Sequence, residues 1–283
     1  MLSFRVHNNG FARLKMYNGL MGALHFFQAG LMLYVSKEAL FPITTNYLDF
    51  DSATRTAAPV TEVLLWQSEE VKINLGPAVA LFLLLSAIAH FITILPNVYP
   101  WYIKNLKKHI NVIRWYEYAL SSSVMIVLIS LLVGIYDFST LLLLFGINAS
   151  MNLFGLVMEQ INQDRKDVNW LPYIFGCIAG IIPWIVIFLH FQGAISSAEV
   201  EVPTFVYFIV FSLFAVFNIF ALNMFLQYKK IGPWKSYVFG EKFYIFLSLF
   251  AKTLLAWQVW SGTLRGTENE VSTIITNIFS LLS

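Results

Sequence analysis

The chain has 283 residues, of which 58% are hydrophobic and 12% are charged, and its formal net charge is +2. Ordinary soluble domains carry about 25% charged residues, so this composition argues against a soluble domain and indicates an integral membrane protein. The only cysteine is Cys177, which excludes an intramolecular disulfide and a cysteine-rich zinc site. Basic residues lie at the ends of apolar segments and form no nucleic-acid-binding patch, so no nucleic-acid partner is expected.

Seven apolar segments follow one another along the chain, each close to the roughly 20 residues that a helix needs to cross a bilayer. They lie at about 14–36, 74–96, 110–135, 138–160, 171–192, 203–228 and 240–264. These segments predict an all-α membrane protein, a seven-transmembrane-helix bundle over 14–264. Residues 1–13 form a short N-terminal segment, and 265–283 form a C-terminal tail whose apolar residues recur at helical spacing, as expected at a membrane surface.

The connection between the first two segments, residues 37–73, is the only long one. A loop of that length without structure of its own is uncommon and is usually functional. Its stretches TNYLDF and TEVLLWQ are typical of short strands. We therefore expect a small β-hairpin that covers the membrane surface.

Lysines and arginines concentrate in the N-terminal segment and in the loops after the second, fourth and sixth segments, while acidic residues concentrate on the other side. Loops rich in lysine and arginine face the cytoplasm. This distribution predicts a cell-membrane protein with its N-terminus inside and its C-terminus outside, and it places the loop 37–73 and the tail 265–283 on the extracellular side.

One lysine, Lys252, lies in the middle of the seventh segment, GEKFYIFLSLFAKTLLAWQVWSG. A charge at the centre of a membrane helix costs about 2.5–3.5 kcal/mol on insertion scales, so such residues are usually functional. A lysine amine that is shielded from water can form a Schiff base with an aldehyde. The position of Lys252 therefore indicates attachment of an aldehyde chromophore.

A protonated Schiff base is a buried cation and needs a nearby carboxylate. Helical side chains point towards the N-terminus of their helix, which brings the Lys252 amine near the level of Ser248 and close to the depth of Glu117. Glu117 and Lys252 are then the only opposite-sign pair expected at depth, with Arg114 and Glu159 placed near helix ends.

Other residues suited to the surroundings of such a chromophore occur in several segments. His90 belongs to the same half of the membrane as Glu117, and His25 lies nearer the middle of the first segment, with Gln28 one turn further on. Aromatic and small side chains that could form a pocket are Phe211, Phe214, Phe217, Phe220, Asn148, Met151, Gly155, Pro183 and Trp184.

The stretches RWYEYALSSSVMIVLIS, FGINASM, FGCIAGIIPW, FNIFALNMFLQYK and, above all, YIFLSLFAKTLLAWQVWSGTL resemble the heliorhodopsins. These are retinal-binding seven-helix photoreceptors with an inverted membrane topology. The likeness extends from about residue 14 to 264, and the predicted N-inside orientation and the long first loop agree with it.

The resemblance implies a role for each matching residue. Lys252 would attach all-trans retinal covalently as a Schiff base, and Glu117 would be its counterion. Ser121 and Ser248 would be polar neighbours, and His25, His90, Ser86 and Gln28 a cytoplasmic-side polar cluster. Implied pocket residues are Met125, Asn148, Met151, Gly155, Trp184, Phe217 and Trp257. The resemblance also implies a homodimer in membrane lipid and an unidentified cytoplasmic signalling partner.

These observations favour a light-sensing photoreceptor, not an enzyme, that signals to a partner without pumping ions. A light-driven proton transporter or light-gated channel on the same scaffold is the alternative. A membrane metallohydrolase using His25, His90 and His190 is a third reading, although His190 lies at the outer end of its segment. The histidines could equally be neutral packing groups, and the Lys252–Glu117 pair could be purely structural.

Overall fold

The computed structural model describes residues 2–197 and 202–265 of the chain. Within these ranges the long helices are joined by short connections, apart from one strand-rich loop. The predicted tail, apart from Arg265, lies outside the described residues. The helices are α1 (Leu2–Val35), α2 (Leu75–Ile94), α3 (Tyr99–Leu106), α4 (Val112–Leu132), α5 (Phe138–Ile161), α6 (Leu171–Ser197), α7 (Thr204–Lys229) and α8 (Tyr237–Val259), and α8 continues as a π-helical turn over Trp260–Leu264.

Six helices of the described chain are long and apolar enough to cross a membrane, namely α2, α4, α5, α6, α7 and α8 with its π-helical turn. Their exposed side chains include large apolar residues such as Leu143, Leu189 and Phe208. Such surfaces are suited to lipid and not to water. The protein is therefore an integral membrane protein.

The first predicted span differs from the other six. α1 begins at Leu2 rather than near residue 14, and it is not among the helices that qualify by apolar character. Polar residues such as Asn18, His25 and Gln28 interrupt its apolar sequence. It nevertheless packs along α2 and against α8, so it is part of the bundle.

The long helices form a closed ring in which consecutive helices are neighbours, with α4 directly following α2. α8 packs against both α7 and α1 and so completes the ring. The short helix α3 lies at one end of the bundle, hereafter the α3 end, and the strands lie at the other, hereafter the strand end. α4 and α8 begin at the α3 end, and α5 ends there.

The connection between α1 and α2 contains three antiparallel strand pairs. The longest joins β2 (Thr44–Asp51) to β3 (Thr56–Val63), and the shorter ones join β1 (Leu40–Pro42) to β6 (Lys72–Asn74) and β4 (Leu65–Trp66) to β5 (Glu69–Glu70). At the turn between β2 and β3, Asp51 accepts a hydrogen bond of 2.8 Å from the amide of Ala53. Amide donors of this turn hold the pKa of Asp51 below its usual value.

Side-chain caps fix where three of the helices begin. Asn74 accepts from the amide of Gly76 at the start of α2, and Asp137 accepts from the amide of Thr140 at the start of α5. Asn111 accepts from the amide of Arg114 at the start of α4. Such caps satisfy amides that have no partner within the helix. The cap at Asn111 sets the register of α4, the helix that carries Glu117.

Gly155 of α5 lies directly against the side chain of Trp115 of α4. A Cβ atom at Gly155 would lie 2.3 Å from a ring carbon of Trp115, a distance that no real side chain tolerates. The indole of Trp115 cannot move freely, because its Nε1 donates to Glu159 at 2.7 Å. Gly146, in the same helix, has open space where a Cβ would be.

Gly155→Ala should therefore destabilise the protein by about 1–3 kcal/mol through overpacking. Gly146→Ala should leave it unchanged or slightly more stable, because alanine is favoured over glycine within a helix. Apparent unfolding temperatures of the detergent-purified proteins measure the difference. Equal unfolding temperatures for the two variants would contradict the assigned contact.

Candidate functional site

Lys252 lies in α8 with its amine inside the bundle. Its side chain is 4% exposed, and Nζ donates to Ser248 Oγ at 2.7 Å and lies 3.2 Å from Glu117 Oε1. Ser248 is one helical turn before Lys252, which agrees with the direction in which helical side chains point. The pair of opposite charges makes the burial of each tolerable.

Glu117, on α4, is held from a second side. Ser86 of α2 donates to Glu117 Oε1 at 2.5 Å, so the carboxylate joins α2, α4 and α8. Ser121, one turn after Glu117, is fully buried, and its Oγ has no hydrogen-bond partner within the described residues. A buried hydroxyl normally has a partner, so Ser121 is a group able to bond to a ligand.

The two predicted histidines meet each other. His25 and His90 stack with ring centroids 5.7 Å apart and ring planes 14° apart. His90 Nδ1 is 2.8 Å from Asn18 Oδ1, whereas both ring nitrogens of His25 are buried without a partner in the described part of the chain. Gln28, predicted with this group, instead accepts from Trp257 Nε1 at 3.3 Å.

Two neighbouring cavities lie near the amine and share part of their walls. The smaller, of about 40 Å³, is lined by Lys252 and Ala251 of α8 and by Met125 and Ser122 of α4. The larger, of about 360 Å³, extends between α4, α5, α6 and α7. Both are lined by Tyr118, Met151, Asn152, Phe217 and Phe220.

The larger cavity has a mostly apolar and aromatic wall. Trp184 of α6 packs edge-on against Phe214 and Phe217 of α7, with ring centroids 5.3 and 5.5 Å away. Ligand pockets typically have volumes of roughly 300–1,000 Å³ and apolar walls with few polar groups. The larger cavity therefore has the volume and the wall expected for an apolar ligand such as retinal, and Lys252 lines the smaller cavity that shares part of this wall.

The predicted pocket residues divide into two groups. Asn148 and Trp257 line neither cavity: Asn148 donates to the hydroxyls of Ser122 and Ser123 at 2.8 and 3.0 Å, and Trp257 bonds to Gln28. The residues that do line the cavities are Met125, Met151, Gly155, Trp184 and Phe217.

A third, polar cavity of about 30 Å³ lies towards the α3 end. Glu117 and Ser248 line one part of it, and Asn111 and Arg114 line another. Tyr118 lines this cavity and both of the others. It is fixed there because its hydroxyl donates to the carbonyl of Tyr244 at 2.9 Å.

The expectation that Glu117 and Lys252 would be the only charge pair at depth is wrong. Arg114 forms ion pairs with both Glu159 and Glu241, and all three residues are buried. Arg114 and Glu159 were predicted near helix ends, and Glu241 was not among the predicted buried residues. All three are buried because their side chains meet at the α3 end.

Three further residues were missed as site residues. Tyr118, Ser122 and Asn152 all line the cavity beside the amine. Tyr118 and Ser122 could have been found together, since they are four residues apart and therefore share one face of α4, the helix that carries Glu117. Asn152 gave no such signal, because its position depends on how α5 packs against α4.

The third histidine, His190, is exposed on α6 and bonds to the carbonyl of Val186 in its own helix, 3.0 Å away. Within the described ranges, no three histidine, cysteine or carboxylate side chains are grouped as a metal site would require. No observation supports the metallohydrolase reading.

The fold and the site together define a class: an integral membrane helical bundle with a buried lysine–carboxylate pair near an aromatic cavity. A family model described as heliorhodopsin matches residues 14–264. The chain therefore belongs to the heliorhodopsin family, which confirms the resemblance of its motifs. That family consists of retinal-binding, light-sensing rhodopsins, so this chain is a rhodopsin-type photoreceptor by family. A comparison with curated proteins finds no match.

The interaction between Lys252 and Glu117 can be tested in the retinal-free protein. Lys252→Met leaves the Glu117 carboxylate buried without its cation, and Glu117→Gln leaves the amine without its anion. Breaking a buried pair on one side costs about 3–5 kcal/mol. Each single variant of the retinal-free protein should therefore unfold at a lower temperature than wild type, and the double variant should recover most of the loss.

The thermal unfolding of the four proteins forms a double-mutant cycle. Additive effects of the two substitutions would show that the side chains do not interact.

Proposed function

We propose that the protein binds all-trans retinal through a Schiff-base linkage to Lys252 and acts as a light sensor that signals to a partner without pumping ions. The contact between Lys252 and Glu117, with Lys252 lining a cavity that adjoins the aromatic one, is the observation that carries the proposal. Membership of the heliorhodopsin family supports the choice of ligand. When bound, retinal supplies absorption of visible light and a light-driven change of shape.

The side chains around Lys252 have separate tasks in this proposal. Glu117 balances a positive charge on the Lys252 nitrogen, and Ser86 holds the Glu117 carboxylate in place. Ser248 and Ser121 are the polar neighbours of that nitrogen and of Glu117. Met125, Met151, Gly155, Trp184 and Phe217 enclose the polyene and exclude water, which strengthens the electrostatic contact.

The stacked pair His25 and His90 is proposed to hold a proton that the chromophore region releases in light. An imidazole can gain or lose a proton near neutral pH. His90 lines the same polar cavity as Glu117 and Ser248, so a short polar route joins them. Gln28 is assigned to the opposite side of this group, where it orients Trp257.

We assign the α3 end to the cytoplasm and the strand end to the outside, with residues 1–13 as the cytoplasmic N-terminal segment and the tail from 265 outside. Lys104, Lys107 and Lys108 in α3 and the turn after it, and Arg165 and Lys166 between α5 and α6, support this orientation. The signalling partner would then bind the α3 end.

A homodimer is proposed through the extracellular loop 37–73. Tyr47, Leu48 and Phe50 of β2 expose large apolar side chains there. Exposed apolar groups on an otherwise polar loop are typical of a protein contact.

Ion transport is the less favoured function. A proton pump needs ionisable groups that continue from the Schiff base to both sides of the membrane. Among the described spans, the carboxylates inside the bundle are Glu117, Glu159 and Glu241, and all three lie on the α3 side of Lys252. The half towards the strand end offers no comparable relay in this part of the chain.

Expression with all-trans retinal should give a coloured membrane protein. Lys252→Ala should abolish the colour, because the attachment amine is lost. Glu117→Gln should shift the absorption to longer wavelength, since the carboxylate stabilises the positive charge on the nitrogen more in the ground state than in the excited state, and its loss narrows the energy gap. Visible spectra of the purified proteins provide the measurement.

Lys242→Ala is the matched control, because Lys242 lies in the same helix, α8, but outside the site. It should keep the wild-type spectrum. An unchanged spectrum in both the Lys252 and the Glu117 variant would reject the assignment.

Electrical recording distinguishes a light sensor from a light-driven ion transporter or channel. In a voltage-clamped cell that expresses the protein with retinal, light should evoke no current at any holding potential. The Lys252→Ala variant gives the background. A steady light-dependent current that this variant lacks would instead establish transport.

A further inference from the structure

A second buried charge cluster lies at the α3 end, separate from the Lys252 site. Arg114 of α4 pairs through one guanidinium nitrogen with Glu159 of α5 and through the other with Glu241 of α8. Their side chains are 5%, 3% and 0% exposed, so the cluster is closed to solvent. It joins three helices at the level where α4 and α8 begin.

Each carboxylate of this cluster is bonded to neutral donors as well. Glu159 Oε2 accepts from the amide of Asn111 at 2.8 Å and from Trp115 Nε1 at 2.7 Å. Glu241 Oε2 accepts from Asn111 Nδ2 at 2.7 Å. These bonds orient both carboxyl groups towards the same guanidinium, but they add no positive charge.

The charges of the cluster do not balance. Two ionised carboxylates and one guanidinium leave one uncompensated negative charge in a site without solvent, and a buried unpaired charge is expensive. Two carboxyl groups that share a site respond by keeping one proton between them, which both groups hold as a coupled pair.

The other titratable groups that face the cluster do not supply the missing charge. They are tyrosines, whose hydroxyls are neutral at neutral pH: Tyr102 of α3, Tyr118 of α4, Tyr228 of α7, and Tyr237 and Tyr244 of α8. His109 stacks on Tyr237 from the exposed side. Glu117, Lys252 and His90 belong to the neighbouring site and already pair there.

Three donors at the cluster have no partner among the described residues. Arg114 Nε and the hydroxyls of Tyr237 and Tyr244 are buried and unbonded, although the Tyr244 ring lies 4.0 Å from the Arg114 guanidinium carbon. Such donors can bond to whichever of the two carboxyl groups is ionised, because these donors have no fixed acceptor.

We propose that Glu159 and Glu241 bind one proton between them beside Arg114, and that this cluster is a proton-holding site of the protein. It connects to the chromophore region by the polar cavity of about 30 Å³, which Arg114 and Asn111 line on one side and Glu117 and Ser248 on the other. The proton is present in the dark and without retinal, so the inference does not rest on the proposed function.

Infrared spectroscopy of the retinal-free protein at neutral pH tests the proposal. Wild type should show the C=O stretch of one protonated carboxylic acid per chain, shifted in D₂O. Glu159→Gln and Glu241→Gln should each abolish that same band. Whichever glutamate remains needs no proton, because it is then balanced by Arg114.

Asp164→Asn is the matched control, since Asp164 is an exposed carboxylate at the same end of the molecule, and it should leave the band unchanged. Persistence of the band in either glutamine variant would overturn the shared proton. If a glutamine variant does not fold, wild type labelled with ¹³C-glutamate decides. A label-sensitive acid band supports the site, and its absence refutes it.

Discussion

The structure depends on one buried contact between an amine and a carboxylate, Lys252 with Glu117. Neither charge could remain alone inside an apolar bundle, because each would cost several kcal/mol without the other. The pair therefore fixes how α8 faces α4, and Ser86 extends the same constraint to α2. The cavity that Lys252 lines shares Tyr118, Met151, Asn152, Phe217 and Phe220 with the larger aromatic cavity, so the buried amine lies close to that cavity.

Much of this arrangement could be predicted from the sequence, since depth along a helix is a local property. Lys252 and Glu117 were paired because both lie in spans that run in the same direction and because helical side chains point towards the N-terminus. Pocket residues such as Met151 and Phe217 followed from the resemblance to a known family.

The predictions that were wrong or missing concern residues whose surroundings depend on packing between helices that are distant in the sequence. Glu241 lies only four residues after the start of α8, yet α4 and α5 bury it completely. Asn148 faces the serines of α4 and not the cavity, because close packing of α5 against α4 rotates it there. The first segment was also predicted to be a span like the other six, whereas α1 is not among the described helices that qualify by length and composition, because polar residues interrupt it.

The two charge clusters are built on the same pair of helix faces. On α4, Glu117 and Tyr118 lie three and four residues after Arg114, so the three side chains share one face. On α8, the same spacings of three and four residues place on one face Glu241, Tyr244, Ser248 and Lys252. The contacts between them form a ladder: Arg114 with Glu241, Tyr118 with the carbonyl of Tyr244, and Glu117 with Lys252. A displacement of α8 against α4 at any one of these three contacts must strain the other two contacts. Packed interfaces change between discrete arrangements and do not deform continuously. A change of charge at Lys252 would thus alter the contacts of Arg114, near the α3 end, through a small movement of α8 against α4.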